Sequence, residues 1–171
     1  MADRGLKAVR LRGLAPVVAS DARVLILGSF PGEASLAARQ YYAHPRNGFW
    51  PLLGAVLDEP LPALAYPARL GRLKARGVAV WDTIVACTRS GSLDSAIRDA
   101  RLGEVRRILT RAPDIRLVAF NGGTAWRAES AWREAGCATL ALPSSSPAFT
   151  RPFAEKLAAW QAIAAFLEPG S

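Results

Sequence analysis

The sequence predicts an α/β fold, a three-layer αβα sandwich around a central, mainly parallel four-stranded sheet. Four short apolar runs, Val24 to Gly28, Val78 to Val85, Ile115 to Phe120 and Ala138 to Leu142, alternate with longer stretches of helical spacing. The runs are almost continuously hydrophobic, as in strands covered on both faces. With 171 residues, 51% of them hydrophobic, the chain can bury one sizeable core, so a single domain over residues 1–171, core about 6–168, is expected.

Taken in order, residues Leu6 to Val18 precede the first strand and can add an edge strand or a wrapping arm. Helices are predicted for Phe49 to Leu57, Pro67 to Arg76, Leu93 to Arg111, Gly123 to Ala135 and Pro152 to Leu167, where apolar residues recur three and four apart. Pro113 and Gly136 stop two of them. Pro169-Gly170-Ser171 reads as a frayed tail.

Lysine and arginine total 22 against 14 acidic residues, a net charge of +8, and only Lys7, Lys74 and Lys156 are not arginine. Arginine forks onto phosphate oxygens, so a polyanionic partner is one reading and a solubilising surface the other. Cys87 and Cys137 form no CxxC pair, which argues against zinc, iron–sulfur clusters and a disulfide framework. No metal and no cofactor are expected. An uninterrupted apolar run of about 18 residues is absent, and MADRGLKAVRLRG has no apolar core before a cleavage site. A cytoplasmic protein without membrane attachment, and a monomer, is expected.

Open α/β sheets bind ligands beyond the carboxyl ends of their strands. The loops there read GSFPGEASL (28–36) with QYYAHPRNGFW (40–50), WDTIVACTRSGSLDSAI (81–97), FNG (120–122) and LPSSSPA (142–148). Together these blocks resemble the uracil-DNA glycosylase superfamily, most closely its hypoxanthine- (deoxyinosine-) DNA glycosylase branch, with kinship to the mismatch-specific uracil-DNA glycosylases. The resemblance implies a monofunctional DNA repair glycosylase acting on DNA that contains deaminated bases. Such an enzyme flips the damaged nucleotide out, cuts its N-glycosidic bond with water and leaves an abasic site for base excision repair. A nucleic-acid-binding module that has lost catalysis on the same fold is the other reading.

Gly28 and Gly32 let the first turn fold tightly and aim a backbone or aromatic face into a pocket. There Phe30 either stacks on the flipped base, as the resemblance implies, or covers the end of the sheet. Tyr41, Tyr42, Phe49 and Trp50 read as wall and core. Asp82 places a carboxylate inside an apolar strand, where it needs a partner. It can accept the ring N–H of hypoxanthine or uracil and reject bases presenting only acceptors there, or it caps a turn or pairs with an arginine such as Arg89.

GSFPG lacks the water-positioning aspartate or asparagine of better-known branches, so that duty is expected to fall to the Asn47 amide oxygen, assisted by Ser29 or a backbone carbonyl. His44 either polarises the leaving group or aids water activation, or is a structural hydrogen-bonder. Asn121 lines the pocket or caps the helix that follows it. Ser144, Ser145 and Ser146 either form an ordinary serine–proline loop or, as the resemblance implies, grip phosphates through amides and hydroxyls, with Pro147, Ala148 and Phe149 as an apolar wedge. Arg46, Arg89 and Arg151, with Arg98 and Arg127, lie where phosphate contacts are wanted. None of the lysines falls in these motifs, so a Schiff-base lyase step is not expected.

Overall fold

The computed structural model describes residues 9–168. Positions 6–8 of the N-terminal arm, Lys7 included, and the tail 169–171 lie outside the described residues. The main sheet is parallel, in the order β3 (Val78–Asp82), β2 (Val24–Gly28), β6 (Leu117–Asn121), β7 (Ala138–Leu142). Its residues alternate between two cores, which makes the three layers. Val24, Ile26, Val80 and Ala119 pack on one side with Phe49 and Leu53 of α2 (Phe49–Leu57), Leu73 of α3 (Tyr66–Ala75) and Trp160 of α7 (Phe153–Trp160). Leu25, Leu27, Trp81 and Phe120 pack on the other with Ile108 of α4 (Val105–Leu109), Ala125 of α5 (Gly123–Trp126) and Trp132 of α6 (Glu129–Glu134). Burial on both faces is the reason β2, β3 and β6 read as unbroken apolar runs, whereas β7, at the sheet edge, is buried only at Leu142 and does not meet the expectation of cover on both faces.

The expected strand Val78 to Val85 is two strands. β3 ends at Asp82, and β4 (Ile84–Thr88) leaves for a second, antiparallel sheet in the order β1 (Arg10–Arg12), β4, β5 (Arg98–Leu102). The chain changes sheets at Thr83, whose N–H donates to the Gly28 carbonyl at 2.8 Å while Ile84 N–H donates to the Ser29 carbonyl at 3.0 Å. The N-terminal arm therefore supplies both an edge strand, β1, and a wrapping contact, the Val17–Val80 bridge.

The expected helix Leu93 to Arg111 is corrected to a 3₁₀ turn at Asp94–Ala96, then β5, then the short α4. Tertiary pairing overrides the helical spacing: β4 offers β5 a free edge, Asp99 adopts a left-handed φ of 52° within an irregular ladder, and a Cβ at Gly103 would collide with the Trp81 ring. The expected third strand shifts to Leu117–Asn121. The expected helix Gly123 to Ala135 breaks into α5 and α6, and the last helix passes into a 3₁₀ segment at Gln161–Phe166. A helix not anticipated, α1 (Glu33–Ala38), follows the GSFPG turn.

Candidate active site

The carboxyl ends of all four parallel strands open into one cavity of about 440 Å³. Its walls come from Gly28–Ser35, Tyr41, Tyr42, His44, Asn47, Asp82, Ser92–Asp94, Asn121 and the Ser144–Phe149 loop. The cavity sits beside β2, from which the chain first steps to β3 on one side and later to β6 on the other, the position where open sheets collect ligands.

The floor is built by close approach. Gly28 pairs with Asp82 in the parallel register, and a Cβ on Gly28 would lie 2.5 Å from Asp82 Oδ1 and 2.7 Å from the Tyr42 hydroxyl. Only a glycine leaves room for both groups. Asp82 is 5% exposed, and its Oδ2 is buried without a hydrogen-bond partner. Burial, reinforced by the nearby charge of Asp94, pushes its carboxyl up to about 7. The alternative pairing with Arg89 is not realised. That guanidinium donates to the Pro31 carbonyl at 2.7 Å and the Gly91 carbonyl at 2.8 Å and stacks over the Phe30 ring at 5.1 Å. Arg89 is thus corrected from a phosphate grip to an internal staple between the β4 loop and the GSFPG turn. Phe30 lines the cavity and packs on Ile84 and Cys87.

A chain of hydrogen bonds closes the opposite wall. Asn121 donates from Nδ2 to Ser145 Oγ at 2.9 Å and to the Tyr42 hydroxyl at 3.2 Å, and its Oδ1 accepts Ser145 N–H at 2.8 Å. Ser145 Oγ then donates to Asn47 Oδ1 at 2.8 Å, which also accepts Phe49 N–H at 3.0 Å. Three expectations change with this network. Asn121 does not cap the following helix; Gly122, at a φ of 98° that suits glycine, stands at that cap. Ser145, 2% exposed, is a structural tie rather than a phosphate grip. The Asn47 oxygen, expected to hold water, has both lone pairs occupied, so what Asn47 offers the cavity is its Nδ2 amide.

Tyr42, expected as plain wall, is the group sequence reasoning underrated. Its backbone takes a left-handed φ of 54°, costly for a bulky residue, and is held there by a stacked contact with Phe49, centroids 3.9 Å apart, and by the Asn121 bond. Burial and Asp82 both push its phenol upward, so it stays a neutral donor. His44 lines the cavity with Nδ1 accepting Arg46 N–H at 3.1 Å, so the neutral ring carries its proton on Nε2. Ser144 Oγ and Ser146 Oγ accept Ser146 N–H and Ala148 N–H, which removes those amides from the expected phosphate contacts. Pro147, Ala148 and the 39% exposed Phe149 stand at the rim, with Arg151 and Lys156 over the Phe149 ring at 5.2 and 5.5 Å. Arg46 is exposed, and neither it nor Arg151 lines the cavity. Ser29 donates to Asp94, a cavity residue that sequence reasoning passed over.

Replacing Asn47 separates its two jobs. Asn47→Asp keeps the acceptor for Phe49 and Ser145 and is expected to retain the native melting temperature, whereas Asn47→Ala loses about 1 kcal/mol as the start of α2 loses its acceptor. Both are expected to lose turnover, since both lack the Nδ2 donor; thermal melts beside single-turnover assays check this.

Among the described residues, no three His, Cys, Asp or Glu side chains cluster to hold a metal ion, and no helix is long and apolar enough to cross a membrane. The family model of the uracil DNA glycosylase superfamily matches residues 15–167. Over 152 residues, 89% of this chain and 96% of theirs, the chain is 36% identical to the hypoxanthine DNA glycosylase of Methanosarcina barkeri and 37% identical to that of Methanosarcina acetivorans. A solution NMR structure from Methanosarcina acetivorans, described as a candidate uracil DNA glycosylase, superposes with a TM-score of 0.86 at 36% identity, covering 94% of this chain and all of that one. Fold, cavity position and sequence agree: the chain belongs to the uracil DNA glycosylase superfamily and is a DNA glycosylase.

Proposed function

We propose that the protein hydrolyses the N-glycosidic bond of deoxyinosine in DNA, releasing hypoxanthine and leaving an abasic site. Uracil and xanthine, which carry the same ring N–H beside a carbonyl, are secondary substrates. The observation that carries this reading is Asp82, a buried carboxylate with an unpartnered oxygen on the floor of the cavity. A buried carboxylate without a protein partner is costly, and a base presenting a ring N–H supplies the missing donor. Both Methanosarcina relatives are named for the same base. Phe30 offers a ring beside the extruded base, Asn47 Nδ2 a donor, and the Pro147–Phe149 rim an apolar wedge for the vacated stack. The arginine-rich charge of +8 supplies affinity for the phosphate backbone.

A labelled duplex with one deoxyinosine, incubated with the protein and then treated with alkali, is expected to break at that position, with deoxyuridine and deoxyxanthosine duplexes breaking more slowly. Bound but unbroken DNA on every lesion would leave a binding module instead.

A further inference from the structure

The glycosylase reading assigns no task to Asp94, although its carboxylate faces the same cavity as Asp82. Two consecutive residues carry the two acids. Gly28, lacking a side chain, lies against Asp82, and Ser29 Oγ donates to both oxygens of Asp94 at 2.8 Å each. Adjacent Cα atoms stand about 3.8 Å apart, so one carboxylate is held at the floor and the other one residue further along the turn. Asp94 is exposed to the cavity, makes no ion pair among the described residues, and one serine proton leaves most of its lone pairs free.

The loop that carries Asp94 is fastened at more than this point. Arg89 ties it to Pro31 and Gly91, Ser92 Oγ accepts Glu33 N–H at 2.9 Å, and the Asp94 carbonyl accepts Ile97 N–H at 3.1 Å. Such support holds an acid in one place. Two neighbouring groups are committed: the Asn47 oxygen has two donors, and the Ser29 proton is given to Asp94. An attacking water needs an acceptor with a free lone pair.

We propose that Asp94 is the catalytic residue that holds the attacking water and takes its proton, with Ser29 as its positioning residue. This rests on the glycosylase reading. The C1′–N9 bond breaks with its electron pair leaving on the purine, the water oxygen bonds to C1′, and one water proton passes to Asp94 and on to solvent. Hypoxanthine takes up a proton from solvent and departs neutral. The negative charge of Asp94 also faces the oxocarbenium-like sugar as positive charge develops there.

Asp94→Asn keeps an acceptor for Ser29 and removes the charge and the base. Single-turnover cleavage of a deoxyinosine duplex is expected to slow by about 100-fold or more in this variant, with lesion-duplex Kd and melting temperature unchanged. Ser29→Ala is expected to slow it by roughly tenfold, since Asp94 stays but is less fixed. Formate, a free carboxylate, is expected to restore part of the turnover of Asp94→Ala, which a loop latch would not do. An Asp94→Asn rate within about threefold of native, or a loss that appears wholly in Kd or in melting, would overturn the assignment while native cleavage keeps the glycosylase reading intact. If the native protein leaves every lesion uncut, both fall together.

Discussion

Asp82→Asn is expected to give a protein that is more stable above neutral pH and less selective. A carboxyl raised from 3.8 to about 7 by burial is held protonated in the folded state and ionises freely in the unfolded one. Its contribution is therefore fully present below the unfolded value and is lost as pH rises from about 4 to about 7. Removing the ionisable group relieves a penalty on the order of 4 kcal/mol above that window. Denaturant midpoints from pH 4 to 9 should fall with pH in the native protein and much less in the variant. Selectivity moves the other way. The neutral acid and the Asn amide can each pair with hypoxanthine or with adenine by exchanging donor and acceptor, whereas the carboxylate anion fits only the ring bearing N1–H. The hypoxanthine-to-adenine cleavage ratio should thus rise with pH through about 7 in the native protein. In Asp82→Asn it should be about 10- to 100-fold lower at pH 8 and flat with pH. An identical ratio in both proteins would make Asp82 purely structural.

Gly28→Ala should be the most damaging single methyl addition in the cavity. The new Cβ would meet Asp82 Oδ1 at 2.5 Å and the Tyr42 hydroxyl at 2.7 Å, and neither can step aside. Asp82 is fixed by its strand register with Gly28, and Tyr42 by stacking on Phe49 and by Asn121. Overpacking of this kind costs about 1–3 kcal/mol, and the methyl also occupies the ground on which the base would rest. Turnover on deoxyinosine should fall by more than about 100-fold, beyond what the melting shift explains. Native turnover in Gly28→Ala would mean the base lies elsewhere in the cavity.

Strands β2, β3 and β6 were legible because two-sided burial writes itself as unbroken apolar runs, and the position of the cavity followed from where those runs end. The second sheet was hidden for the opposite reason. All five residues of β5 are exposed, and its RDARL segment joins Leu93, Val105 and Ile108 in a spacing that imitates a helix. Among site residues, Asp82 stood out as a charge in an apolar strand. Asp94 did not, since it sits in a polar loop and gains its meaning from a hydrogen bond to a serine 65 positions earlier. Tyr42 was read from its aromatic neighbours as wall and Ser145 from the resemblance as a phosphate contact, while the structure uses both in a chain of bonds joining loops far apart in sequence.

That chain of bonds bears on how the enzyme would sort its targets. Tyr42, Asn121, Ser145 and Asn47 brace one another, so the receptacle has little left to assemble when a nucleotide enters. Discrimination among lesions then rests on the edge offered by Asp82 and on how readily each lesion leaves its partner strand, rather than on any folding-over of the protein.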